Sequence, residues 1–173
     1  AILHAVLPYK YVDHTHANAV VTLTNLPNGE QIIQEIYGDQ VVIIPYVMPG
    51  FDLAREVAER YSAEASDKTR GLVLMNHGIF SFADDAKESY ETMIDLVDMA
   101  ERYLKRHDAW DLPEIETEAV SPDIERLATL RQKISKAASA PMVLTLDRSP
   151  EAISFCKRDD LDLISQQGPA TPD

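Results

Sequence analysis

The chain has 173 residues, 45% of them hydrophobic and 26% charged, with a formal net charge of −13 at neutral pH. That is enough apolar material for one domain with a real core and a small appendage, and the acidic balance argues against nucleic acid or anionic membranes as partners. No apolar run reaches the roughly 18 residues of a membrane span and no basic-then-apolar leader is visible. With Cys156 alone there is no disulfide framework, so a reducing cytoplasm is the expected location. The sequence opens at Ala1 inside an apolar run, which suggests a piece of a longer protein.

In chain order, "ILHAVLPYK" predicts a short helix stopped at Pro8, "YVDHTH" a strand, and "ANAVVTLTNL" an apolar helix or buried turn ending at "PNGE". "EQIIQEIYGD" has helical spacing with a glycine stop, and "QVVIIPYV" is a β-branched run of buried-strand type. "MPGFDLAREVAERYSAEAS" predicts an amphipathic helix with Phe51, Leu53, Ala54, Val57, Ala58 and Tyr61 on its apolar face. "RGLVLMN" is a second buried strand, "HG" a turn, and "IFSF" a short strand that doubles back. The longest helix follows, with Asp85 as its cap and an apolar stripe through Tyr90, Met93, Ile94, Val97, Ala100, Tyr103 and Leu104. That stripe is expected to be core or subunit contact.

Past Trp110 an acidic, proline-punctuated stretch reads as a connector, then "IERLATLRQKISKAAS" as a helix, "MVLTLD" as a strand and "SPEAISFCKR" as a helix carrying Cys156, expected to be a small buried hydrophobe. "SQQGPATPD" is turn-rich and linker-like. Strands alternating with helices predict an α/β layered domain in residues 1–112, its N-terminal part missing, with 113–173 a small extension leading toward a further domain.

The chemistry concentrates in three histidines. On a strand, positions i and i+2 share a face, so His14 and His16 point together while Thr15 looks away. Two neutral imidazoles are half a metal site, each reaching an ion at about 2.0–2.1 Å. His77 follows a buried strand and enters a turn, where side chains emerge from a packed sheet, and it offers the third nitrogen. Gly78 is expected to allow a positive φ, and Asn76 to shape the turn or meet a ligand oxygen. Three nitrogen ligands with an open fourth position form the catalytic pattern for zinc. His4, on a short apolar segment, and His107, at a helix end, do not compete.

"HTHANAVVTLTN" followed by "GLVLMNHGIFSFADDAKESYETMIDLVDMAERYL" resembles the class II aldolase/adducin family. With "LPYKYVDHTH" and "QQGPATPD" added, the likeness extends to aldolase domains of bifunctional rhamnulose-1-phosphate aldolase/short-chain dehydrogenase proteins. The resemblance implies a central, mainly antiparallel sheet flanked by helices, and a Zn2+ or other divalent ion on His14, His16 and His77. It implies retro-aldol cleavage of a ketose 1-phosphate, a sugar phosphate substrate, to dihydroxyacetone phosphate and lactaldehyde. It also implies a homo-oligomer, and NAD only for the missing dehydrogenase part. The family's general acid/base is a glutamate four residues before the histidine that His4 matches, upstream of Ala1, and its phosphate-binding loops lie further upstream. The chain alone is therefore expected to hold metal without turning over substrate. The alternatives are a non-catalytic, adducin-like oligomerisation module, or a parent protein acting chiefly as a dehydrogenase.

Overall fold

A computed structural model describes residues 2–111, 121–168 and 170. The chain divides into two units, residues 1–111 with 168–173, and residues 112–167.

In the first unit a short helix α1 (Ile2–Val6) leads into strand β1 (Tyr11–Thr15), helices α2 (Asn18–Thr24) and α3 (Gly29–Tyr37), and strand β2 (Val41–Ile44). Helix α4 (Phe51–Glu64), strands β3 (Gly71–Leu74) and β4 (Gly78–Ala83), and helix α5 (Ala86–Arg106) follow. The sheet order is β1-β4-β3-β2. β4 runs antiparallel to both β1 and β3, and β2 runs parallel to β3.

The run "GLVL" is buried at every position because both faces of the sheet are covered. Alternation sends Val41, Val73 and Ile79 to one face, where they meet Val20, Leu23, Ile33, Met93 and Leu96 of α2, α3 and α5. Val42, Ile44, Leu72, Leu74, Phe80 and Phe82 face the other way, onto Leu53 and Val57 of α4 and Leu7 after α1. Asp85 caps α5 by accepting from the backbone N–H groups of Lys87 and Glu88, at 3.0 and 3.1 Å. The buried Tyr37 hydroxyl donates to the Leu96 carbonyl at 2.9 Å, tying α3 to α5, and burial raises its pKa.

Several sequence expectations are corrected. Phe51 opens α4 but is 72% exposed, because the buried face starts at Leu53. On α5, Tyr90 and Ile94 point outward, and the inward face instead includes Ser89, Thr92 and Leu96 alongside Met93, Ala100 and Leu104. Met93, Val97, Ala100, Tyr103 and Leu104 of the expected stripe pack on the core, while Tyr90 and Ile94 lie on the surface of the single chain. Replacing Leu96 by alanine is expected to cost about 2–5 kcal/mol, whereas Ile94→Ala should stay within about 0.5 kcal/mol. Urea unfolding of the two variants measures the difference.

In the second unit, helices α6 (Ile124–Ala137), α7 (Pro150–Cys156) and α8 (Leu161–Ile164) are the regular elements among the described residues. "MVLTLD" forms no strand: residues 141–149 have no regular structure and no paired strand, and Val143 is 89% exposed. β-Propensity expresses a fit to neighbouring strands rather than an independent backbone preference. Cys156 is exposed rather than buried. The short helix α8 was not anticipated. The connector read before Ser121 falls largely on residues 112–120, outside the described residues.

Candidate metal centre

His14 sits one residue before the end of β1, His16 just past it, and His77 in the turn between β3 and β4. The antiparallel register brings these segments together: Thr15 lies opposite Ile79 and His14 opposite Phe80, while Leu74 pairs with Gly78. The three imidazole centroids are 4.8, 4.9 and 5.2 Å apart, and one ring nitrogen from each residue lies within 4.8 Å of the other two. Tetrahedral coordination at about 2.0–2.1 Å places ligand nitrogens about 3.4 Å apart, so small ring rotations would close the set on an ion.

The His14 Nδ1 lies 3.0 Å from the Ile79 carbonyl. A carbonyl only accepts, so this bond assigns the proton to Nδ1 and leaves the Nε2 lone pair for a ligand role, the usual outer-partner arrangement of metal-binding histidine. One edge of His14 stays open, but its ring face is stacked on Phe80 at 4.0 Å with an interplanar angle of 12°. Burial pushes the imidazole down from 6.5 to about 4. The bond to Ile79 opposes this, and His16, His77 and His4 add repulsion. His14 is therefore neutral at physiological pH, as a metal ligand must be.

The sign follows for the metal-free protein. Between about 4 and 6.5 the unfolded chain takes up the His14 proton and the folded chain does not, so stability is lost as pH falls through that window and is fully present above it. Denaturant unfolding of chelator-treated protein at several pH values should show that slope, and His14→Phe should flatten it.

The turn departs from expectation in an informative way. The positive φ belongs to Asn76, at 57°, and Gly78 is not in that region. What Gly78 provides is room: a Cβ there would lie 2.5 Å from the Thr15 carbonyl oxygen, 3.0 Å from His16 Cδ2 and 3.2 Å from His14 Cε1. Asn76 donates through Nδ2 to Asn25 Oδ1 at 2.9 Å, and Asn25 donates to the carbonyls of Val21 at 2.8 Å and Ala170 at 3.1 Å. Asn25 escaped sequence reading because nothing local marks a side chain whose partner lies 51 residues away.

A cavity of about 440 Å³ adjoins the triad, lined by His4, His14, His77, Phe51, Phe80 and other apolar groups. His4 thus reaches the cavity while standing outside the convergent set, and its ring meets Phe80 edge-on at 6.0 Å. His107 ends α5 beside Tyr103, at 4.4 Å. A larger cavity of about 770 Å³ in the second unit is lined by Arg126, Leu130, Lys133 and Ile153 among others, and by none of the three histidines.

Mixed sheet, helices on both faces and three convergent imidazoles at the strand ends define an α/β domain with a candidate metal centre. The chain belongs to the class II aldolase and adducin N-terminal domain family, whose model matches residues 1–104, and the second domain of class II aldolases matches residues 122–173. It is similar to the uncharacterized oxidoreductase YuxG of Bacillus subtilis (strain 168), 32% identical over 183 residues that cover 99% of this chain and 26% of that protein. The chain therefore spans about a quarter of that relative's length. Among solved structures it is similar to the N-terminal class II aldolase domain of a conserved protein from Thermoplasma acidophilum. That match has a TM-score of 0.54 and 41% identity, over 60% of this chain and 46% of the other. Among the described residues, no helix is long and apolar enough to cross a membrane.

Proposed function

We propose that this chain is the metal-binding part of an aldolase that cleaves a ketose 1-phosphate, rhamnulose 1-phosphate first among the candidates, to dihydroxyacetone phosphate and lactaldehyde. The observation that carries this reading is the convergence of His14, His16 and His77 within 4.8 Å in a chain of the class II aldolase family. A zinc or other divalent ion held there supplies a Lewis acid for the oxygen that gains charge when the carbon–carbon bond breaks. The protein's own part is to keep the His14 imidazole neutral and oriented. The Ile79 carbonyl fixes the His14 tautomer, Phe80 stacks on its ring, and Phe51 and Phe80 line the adjoining cavity. A bound cation also offsets the acidic surface, whose net charge of −13 would otherwise repel a phosphate ester.

In this reading the general acid/base and the phosphate-holding backbone come from parts of the protein other than the three histidines. Residues 113–173 lead toward a short-chain dehydrogenase part that uses NAD. That pairing is supported by the longer Bacillus relative, which is named an oxidoreductase. The assembly is a cytoplasmic homo-oligomer with no nucleic acid or membrane partner.

The test is to incubate the full-length protein with rhamnulose 1-phosphate and follow dihydroxyacetone phosphate by coupled reduction. Release that stops with chelator and returns with Zn2+ is the expected result. No release from metal-loaded protein, with this and with other ketose 1-phosphates, would favour a non-catalytic module.

A further inference from the structure

β1 presents two of the three candidate ligands, yet it is an edge strand, with β4 on one side only. None of its five residues is fully buried, so hydrophobic burial, the usual determinant of strand register, acts weakly here. A slip of one residue would turn Asp13 and Thr15 toward the metal side and send both histidines to the opposite face. Something else must hold the register.

The candidate is a polar chain on the face away from the histidines. Asp13 is paired with Ser81 of β4 in the sheet register. Its Oδ2 accepts from Ser89 Oγ of α5 at 2.6 Å, and Ser81 Oγ in turn donates to the Ser89 carbonyl at 2.9 Å. Ser81 and Ser89 are both 0% exposed. The bond from Ser89 to Asp13 joins residues 76 apart and can form in only one register, because its donor is fixed in the first turns of α5. A hydrogen bond to a charged acceptor is worth more than a neutral one, and a buried hydroxyl left without its acceptor is costly.

We propose that Asp13 and Ser89 are positioning residues for the metal centre, their hydrogen bond locking the register in which β1 presents His14 and His16. The proposal rests on the aldolase reading of the histidine site. Asp13 and Ser89 touch neither metal nor substrate. They act through the strand, as outer partners of metal ligands do.

The experiment measures Zn2+ affinity of the intact protein by competition with a chromophoric chelator, together with the visible spectrum of the Co2+-loaded form. Ser89→Ala and Asp13→Ala are each expected to weaken zinc binding by about 10–100-fold and to alter the cobalt spectrum. Combined, they should lose no more than either alone, because both remove one bond. Asp13→Asn retains an acceptor oxygen and should stay within about 5-fold of the unaltered protein. Leu104→Ala, in the core at the far end of α5, reports what general destabilisation does and should leave affinity unchanged. If Ser89→Ala fails to fold, Asp13→Ala at the exposed strand carries the same test.

Unaltered zinc affinity in folded Asp13→Ala or Ser89→Ala would overturn the lock while leaving the metal site standing. An equal loss in Leu104→Ala would also overturn it. Absence of zinc binding by the unaltered protein would instead overturn the site itself, and the lock with it.

Discussion

Gly78→Ala is expected to abolish metal binding and to destabilise the first unit by about 1–3 kcal/mol, the range for forcing an extra carbon into a packed place. The added Cβ would meet the Thr15 backbone oxygen at 2.5 Å, and a backbone atom cannot rotate away as a side chain can. β1 must then lift from β4 at the very residues that carry His14 and His16, whose ring carbons already stand 3.0–3.2 Å from the new atom. Gly38→Ala makes a useful contrast: φ is +55° but nothing lies within 4 Å, so only backbone strain of about 1 kcal/mol should appear, with zinc affinity intact. Thermal melts and metal titrations of the two variants separate crowding from strain.

The second large effect is expected for His77→Ala. It leaves the strand pair His14 and His16 with two nitrogens, too few to hold a divalent ion against water, and affinity should fall by more than the 10–100-fold typical of losing an outer partner. Because His77 lies in a turn and is only partly buried, the fold should survive, with far-ultraviolet circular dichroism and melting temperature close to those of the unaltered protein. The aldolase activity proposed for the full-length protein should disappear with the metal. Activity retained at the unaltered level would remove the histidines from the mechanism.

Much of this arrangement could be read from the sequence because local pattern and tertiary structure agree. "HTH" at the end of a strand-like run places two imidazoles on one face, although β1 stops at Thr15, one residue short of the expected strand, and His16 lies just past it. "NHG" after "LVLM" marks a candidate ligand at a strand end, and the structure brings its imidazole to the other two. Resemblance to the family added the meaning of the spacing, which periodicity could not supply. The α/β class and the mainly antiparallel sheet followed in the same way.

The failures share a cause, a partner distant in sequence. Gly78 was assigned a positive φ from composition, whereas its requirement is set by the approach of Thr15, 63 positions earlier. Ser89 and Thr92 on the inward face of α5 went unread, since Ser89 acquires its role only when Asp13 and Ser81 are brought to it. "MVLTLD" carries strand chemistry, but none of the described residues pairs with it. Asn25 joins the same group, its side chain meaningful only once Asn76 stands beside it.

The measurement that bears most directly on the central claim is metal content per chain. It would be made by elemental analysis of protein purified without chelator or nickel resin, alongside His16→Ala prepared identically. Close to one divalent ion per chain, zinc foremost, is expected in the unaltered protein and almost none in the variant. Equal metal in both, or none in either once the full-length protein is measured, would contradict it.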